Sequence, residues 1–394
     1  MVSDTATTRA EHVLYVGSLT QRHSGASQWM LQLARRMPEH GWQSTAVLPD
    51  DDGIATKYRD VGVEFRVFPT PPLRSRRSPL GHLIALFTSL LATLRVAFLC
   101  RRERVDVVHV NDVRFAYLLV GGVLGGAGTV CHVRANFRSR RLRRVLGYLV
   151  VTLADEVVCV SDRTREFMFE SVGHDDTHVR VVRDGLPSPE RFDGLPDGTT
   201  FREEFGFGDE FLAVQVSKLT ANKAQDRLLD AAAADGDFAV AIVGGSVEGH
   251  EGYARSIREQ ADRIDRVQAV GFYENLTTAL AAADVVVHVP RHEDPFPGVV
   301  LEGMLSGTPV VGSRNGGIPE QLDGECGILV PGQDAADAIA EAILTLKNDP
   351  ERRRKMGRRA RQRALEEFST DEHLRSIDAV YRRVVGVARE QPTA

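Results

Sequence analysis

Lysine is scarce in this chain. Of 394 residues, 49 are Lys or Arg, and only five are lysine: Lys57, Lys218, Lys223, Lys347 and Lys355. Cysteine is also sparse. Cys100, Cys131, Cys159 and Cys326 stand far apart, with no CxxC pair and no histidine at ligand spacing. That excludes a disulfide scaffold, argues against structural zinc and predicts a reducing compartment. The first residues, MVSDTATTRAEH, lack the basic-then-apolar pattern of a secretory signal, so a cytoplasmic place is expected. Neither G-x-G-x-x-G nor a Walker pattern occurs, which removes the usual dinucleotide and P-loop fingerprints.

What is present is the composition of a soluble globular protein, 43% hydrophobic and 26% charged, with a mean hydropathy of −0.18. The length suits two domains of roughly 200 residues each. Charge is uneven between them. Residues 1–190 carry 25 basic and 20 acidic side chains, and the remainder carries 24 and 34. Two uncharged stretches approach membrane-span length. Ser78–Leu94 has 17 residues, and Phe115–Val133 has 19 with five glycines among them. A spanning helix needs about 20 predominantly apolar residues, so the first is read as a helix packed against a sheet. The second reads as helix, glycine turn and strand.

Short β-branched runs alternate with helical patterns along the whole chain. Seven predicted strands, from His12–Val16 to Val179–Val182, precede the Pro- and Gly-rich LPSPERFDGLPDGTT. Six more, from Phe211–Val216 to Gly327–Val330, follow it. This is the pattern of parallel sheets covered by helices on both faces. The fold expected is α/β, with two doubly wound Rossmann-like domains facing across a cleft, residues 1–188 and 189–368. Ligands bind such sheets at the strand C-termini, so the cleft is the expected site.

Four groups of residues carry candidate chemistry. In HEDPFPGVVLEGMLSGTPVVGSRNGG, Pro295, Pro297 and Gly298 keep a loop irregular ahead of a helix whose N-terminus favours an anion. Asp294 lies on that loop and Glu302 about one turn into the helix. Two carboxylates facing one pocket suit the paired hydroxyls of a ribose or another sugar. A solvated Glu with an acidic residue offsetting the helix dipole is the alternative. In VSKLTANKAQ, Lys218 and Lys223 leave a strand just before a helix, which makes a phosphate clamp or, alternatively, two surface lysines. In VGSLTQRHSGASQ, Gly25 can admit a phosphate or sugar to the backbone. His132 ends a strand on the first domain's side of the expected cleft, although a structural histidine is the commoner case there. The run Asp50-Asp51-Asp52 reads as a solvated turn rather than a metal site.

Arginines crowd the first half. Arg74, Arg76 and Arg77 precede the long apolar stretch, Arg101, Arg102 and Arg104 follow it, and RANFRSRRLRRVLGYLV holds six more. Basic residues flanking apolar helices suit an anionic membrane surface. No stacking aromatics interleave with them, so nucleic acid is not expected as a partner.

Together these segments resemble the retaining glycosyltransferases of family 4, which have the GT-B fold. DPFPGVVLEGMLSGTPVV is similar to that family's E-x7-E motif, with Asp294 replacing the first Glu and Glu302 as the second. SKLTANK is similar to its G-R-L-x-x-x-K, with Lys218 in place of arginine. CHVRA resembles the region of its N-terminal histidine and nominates His132, while GGIPEQL, VGFYENL, LAAADVVVHVP and VVRDGL also fit. The resemblance implies that Lys218 and Lys223 hold the donor diphosphate and that Glu302 binds the ribose. It places Asp294 on the donor sugar with the backbone of Pro297, Gly298 and Val299. It puts His132 near the reacting carbon, Tyr273 beside the nucleobase and Gly25 beside the diphosphate. It also implies that a terminal helix, residues 369–394, returns to the first domain.

The reaction so implied is transfer of a sugar, of the hexosyl type, from a nucleotide diphosphate donor to an acceptor hydroxyl with retention. No metal or other cofactor is expected, because lysines and helix N-termini supply positive charge. The expected partners are the nucleotide sugar, a glycan or lipid-linked acceptor, and an anionic membrane met peripherally from its cytoplasmic side. The alternatives are a sugar-nucleotide epimerase or hydrolase on the same fold, and a non-catalytic GT-B scaffold.

Overall fold

The computed structural model describes residues 9–18, 25–73, 78–137, 139–170, 172, 177–186, 188–234, 237–332 and 336–390, with side chains to residue 386. In chain order the elements begin β1 (Glu11–Val16), α1 (Gly25–Arg36), β2 (Trp42–Leu48), α2 (Ile54–Asp60), β3 (Glu64–Val67) and α3 (Pro79–Glu103). Next come β4 (Val107–Val110), α4 (Tyr117–Gly125), β5 (Gly128–Val133), α5 (Arg140–Leu153), β6 (Glu156–Cys159), α6 (Asp162–Phe169) and β7 (Val179–Val181). After them run α7 (Thr199–Glu204), β8 (Leu212–Val216), α8 (Gln225–Ala234), β9 (Ala239–Val243), α9 (Glu251–Ala261), β10 (Val267–Gly271) and α10 (Leu276–Ala282). The chain continues through β11 (Val285–His288), α11 (Gly298–Leu305), β12 (Val310–Ser313), α12 (Ile318–Gln321) and β13 (Gly327–Val330). It finishes with α13 (Ala336–Asn348), α14 (Pro350–Glu367) and α15 (Thr370–Glu390).

The chain forms two compact units, Met1–Arg183 with Asp371–Ala394, and Asp184–Thr370. These divisions fall a few residues from the expected ones. The first unit is built on a seven-stranded parallel sheet in the order β3-β2-β1-β4-β5-β6-β7. One face is covered by α3, α4 and α5 and the other by α1, α2 and α15. In α15, Leu374, Ile377, Tyr381 and Val384 recur at helical spacing and are buried with Val13, Tyr15 and Trp42. Each such side chain contributes roughly 1.5–3 kcal/mol by leaving water.

The long apolar stretch departs from the expectation of a helix lying flat on the sheet. Only the second half of α3 enters the core, through Ala92, Val96 and Cys100. It packs on α4, where a Cβ at Gly121 would come within 2.7 Å of the Thr93 carbonyl oxygen and one at Gly125 would overlap Cys100. The first half extends past this contact with its leucines exposed. The glycine-rich stretch forms α4, a left-handed turn at Gly126 and then β5, as its pattern predicts.

The second unit holds a six-stranded parallel sheet in the order β10-β9-β8-β11-β12-β13. The order in which strands are added reverses between β8 and β11. The loops leaving these two neighbouring strands therefore emerge side by side at a topological switch point, where open α/β sheets bind ligands. Both carry residues singled out from the sequence.

Candidate active site

The loop leaving β8 holds Lys218 and Lys223 and is fixed from below by two buried glutamines. Gln215 donates to the Lys223 carbonyl at 2.8 Å, and Gln225 donates to the Lys218 carbonyl at 2.9 Å and to the Ser217 hydroxyl at 2.8 Å. Between them Ala224, fully buried, adopts a left-handed backbone with φ +54°. A non-glycine residue there costs of order 1–3 kcal/mol, which the surrounding hydrogen bonds hold in place.

The loop leaving β11 is tied to its neighbours along its length. Arg291 donates through its backbone to the Asn222 carbonyl at 2.9 Å and through its guanidinium to Asp226 at the start of α8. Asn315 donates to the Pro290 carbonyl at 3.1 Å, and Gln321 to that of Pro297 at 3.0 Å. The Gly316 N–H meets the Glu293 carboxylate at 2.9 Å, and the Gly317 N–H meets the Asp294 carbonyl at 2.9 Å. Gly316 has φ +61°, and a Cβ there would overlap the Asp294 backbone. The GGIP segment is thus the bed on which the loop lies.

The two loops meet in a charged triad. The Asp294 carboxylate pairs with the Lys223 ammonium and lies 3.0 Å from Nε2 of His288, which ends β11 and is fully buried. Burial pushes the Asp294 carboxyl up, but Lys223 and His288 outweigh it and hold it below the usual carboxylate range. Burial holds His288 below its ordinary range, with Lys223 adding repulsion and Asp294 opposing both. The Lys223–Asp294 pair thus joins the two loops at the switch point. Just beyond, α11 begins at Gly298, which is exposed with open space around it, after the buried Pro297. The first N–H groups of a helix have no internal acceptor and favour an anion.

Glu302 lies one turn into α11, and among the described residues no donor meets its carboxylate. Loss of solvation on burial pushes its carboxyl up to about 7, against the opposing charge of Arg191. A carboxyl held this way gains most from a ligand that brings hydroxyl donors to it.

In the first unit His132 is fully buried on β5, on the same strand face as Val130, and is covered by α15. Its ring stacks on His373 at 6.3 Å and meets His109 at 5.4 Å between centroids. Burial holds His132 well below its ordinary range, and nearby Arg134 adds repulsion. Arg134 stands just past the strand end, part-exposed, with its guanidinium 3.3 Å from Nδ1 of His132.

The Glycosyl transferases group 1 family matches residues 197–363, and the Glycosyl transferase 4-like domain matches residues 24–185. The chain belongs to the family 4 type of these glycosyltransferases. This member is 33% identical over 232 residues to a GDP-mannose-dependent alpha-(1-6)-phosphatidylinositol monomannoside mannosyltransferase of Mycolicibacterium smegmatis, covering 55% of this chain and 59% of that one. It is 32% identical over 233 residues to a D-inositol 3-phosphate glycosyltransferase of Thermomonospora curvata, covering 54% of each. The chain thus spans a little over half the length of the curated relatives it matches. Among solved structures, Anabaena HepE in complex with UDP-glucose superposes with a TM-score of 0.80 at 20% identity, over 96% of this chain and all of that one. A glycosyltransferase from Rickettsia africae gives 0.81 at 16%, over 96% and 99%. The fold is GT-B.

In this family member the structure brings Lys223 and Asp294 together and sets Pro297, Gly298, Val299 and Glu302 on the adjoining helix start. Lys218 is half-buried on the β8 loop. Gly25 opens α1, exposed and with free space around it. The surroundings of two other expected site residues are as follows. His132 has no exposed surface, because strand alternation turns it toward α15, and Arg134 is the polar group nearer solvent. Tyr273 is held by α7, its ring 5.2 Å from Phe201 and 5.6 Å from Phe205, with its hydroxyl 3.3 Å from Glu204. Phe272 before it is the exposed aromatic. In the acidic run, Asp51 is occupied by Arg59. Arg74, Arg76, Arg77 and Arg138 lie outside the described residues. Sequence reading missed His288, whose place at a strand end six residues before Asp294 was the available signal. It also missed Gln215 and Gln225, which sit in an apolar strand and at a helix start.

Proposed function

We propose that this chain transfers a hexosyl group from a nucleoside diphosphate sugar to an acceptor hydroxyl with retention of anomeric configuration. The observation that carries this reading is the Lys223–Asp294–His288 triad beside the start of α11, with Glu302 one turn on. As the bond to the sugar breaks, negative charge grows on the departing diphosphate. Lys218, Lys223 and the first N–H groups of α11 meet that charge in a preorganised setting, and no metal is required. Glu302 accepts from the ribose hydroxyls, and Asp294 sets the position of Lys223 while contacting the donor sugar. The leaving diphosphate then takes the acceptor's proton.

The acceptor is a glycan or lipid-linked hydroxyl, and the protein acts in the cytoplasm on the inner face of the cell membrane. The basic first unit supports this placement, as do the relatives named for inositol phosphate and phosphatidylinositol mannoside. The test is incubation with UDP-glucose or GDP-mannose, with inositol phosphate or phosphatidylinositol vesicles as acceptor and EDTA present, followed by phosphorus and proton NMR. Release of nucleoside diphosphate with an α-glycoside product, lost in Lys218→Met and Lys223→Met, is the expected result. Donor consumption that ignores acceptor, or none with any donor, contradicts the proposal.

A further inference from the structure

The first half of α3 is an apolar helix that no other described element covers. None of the thirteen residues from Pro79 to Leu91 is buried. Leu83, Phe87, Leu90, Leu94 and Phe98 recur at spacings of three and four along one face, and Leu86 beside them is 70% exposed. The opposite face, Ala92, Val96 and Cys100, is locked onto the glycines of α4. On α4 and α5, which cover the same face of the sheet as α3, Val123, Leu124, Val145 and Tyr148 are exposed as well. Exposed apolar surface of this extent marks an interaction site.

The charge around it selects the partner. Residues 65–153 contain fifteen arginines, no lysine and three acidic residues. Each acid is already paired: Glu103 with Arg66 at 2.8 Å, Asp106 with Arg9 at 2.9 Å and Asp112 with Arg114 at 2.7 Å. Arg101, Arg102, Arg140, Arg141 and Arg144 are exposed on α3 and α5. A second copy of this chain would bring one arginine-rich rim against another. An anionic lipid leaflet offers an apolar interior to the leucines and phosphates to the arginines, whose stems follow the apolar surface outward. Thirteen helical residues reach about 20 Å, short of the roughly 30 Å hydrocarbon core, and the rest of α3 is fixed in the unit.

We propose that α3 inserts its free half into one leaflet of an anionic membrane, with the α5 arginines on the headgroups, and so docks the first unit without crossing. The inference rests on the membrane-side acceptor proposed above for its purpose, but not for its physics. The test uses the full chain and vesicles of phosphatidylcholine alone or with 30% phosphatidylglycerol, read by cosedimentation. Wild type is expected to bind the anionic vesicles at least tenfold more tightly, with affinity falling as salt rises. Leu86→Glu with Leu90→Glu is expected to lose at least tenfold in binding, and Arg140→Gln with Arg141→Gln and Arg144→Gln to lose the preference for anionic lipid.

Circular dichroism and nucleoside diphosphate thermal shifts check that each variant folds and binds donor as before. Unchanged vesicle binding in the leucine variant overturns the proposal. So does a concentration-dependent dimer that the same variant breaks, with no vesicle binding. Vesicle binding without any nucleotide response leaves the docking intact and contradicts the proposed transfer instead.

Discussion

Replacing Glu302 with Gln should make the unliganded protein more stable at neutral and alkaline pH. The Glu302 carboxyl titrates at about 7 in the fold, against 4.5 for an ordinary glutamate. The folded state therefore holds a proton that the unfolded chain releases, and wild-type stability falls as pH rises between those two values. At about 1.36 kcal/mol per pKa unit, the ionised carboxyl costs the fold about 3 kcal/mol above pH 7. Glutamine keeps the shape and carries no charge, so it avoids that cost. Urea denaturation followed by circular dichroism at pH 4, 6 and 8 measures the difference, and other carboxyls cancel between the two chains. Glu302→Gln is expected to gain about 1–3 kcal/mol at pH 8 and only a few tenths near pH 4. The same variant should bind nucleoside diphosphate sugar poorly. A gain that does not vary with pH, or a loss at pH 8, refutes the assignment of Glu302 as a carboxyl kept ready for a ligand's hydroxyls.

Lys223→Met removes the cationic partner of the buried Asp294 carboxylate and leaves it to His288, which should cost about 3–5 kcal/mol in urea denaturation. Adding Asp294→Asn should recover most of it, and strict additivity of the two changes contradicts the pairing. The buried histidines should make the protein acid-sensitive. His109 is held down to about 3, first by burial and then by Arg134, so below pH 6.5 the unfolded chain takes up a proton that the fold refuses. His109 should then contribute a fall of about 1.4 kcal/mol per pH unit, and His109→Gln should reduce the slope by that amount in denaturation curves between pH 6 and 5. Gly316→Val should push the Asp294 loop off its bed and weaken nucleotide binding at least tenfold by calorimetry.

All thirteen strands were legible in the sequence because parallel strands buried on both faces read as continuous β-branched runs. Val285–Val289 and Phe238–Val243 differ from the observed β11 and β9 by a residue at an end. The loops that carry Lys223 and Asp294 were legible as loops leaving strands, whereas their meeting depends on the strand order, which sets β8 beside β11. What a chain pattern does not encode is which way a side chain turns at a strand end. His132 and Arg134 share one face by alternation, yet β5 stops at Val133, so the first is covered by α15 and the second runs past the sheet. Tyr273 and Phe272 pose the same problem, resolved only by Phe201 and Phe205, about 70 residues away. The free half of α3 was hidden for another reason. An apolar helix reads alike whether its face meets a sheet or nothing, and only the close glycine contact at its far end shows where the core stops.

The central claim is that the switch point between β8 and β11 holds a nucleoside diphosphate through Lys218, Lys223 and the start of α11. Thermal shift against UDP, GDP and ADP, each with EDTA, tests it most directly. Ligand at a hundred times its dissociation constant adds about 2.7 kcal/mol of stability, enough to read. The account predicts a clear rise with one of these nucleotides, untouched by the chelator and lost in Lys223→Met. A rise that survives in Lys218→Met with Lys223→Met, or no rise with any nucleotide, contradicts it.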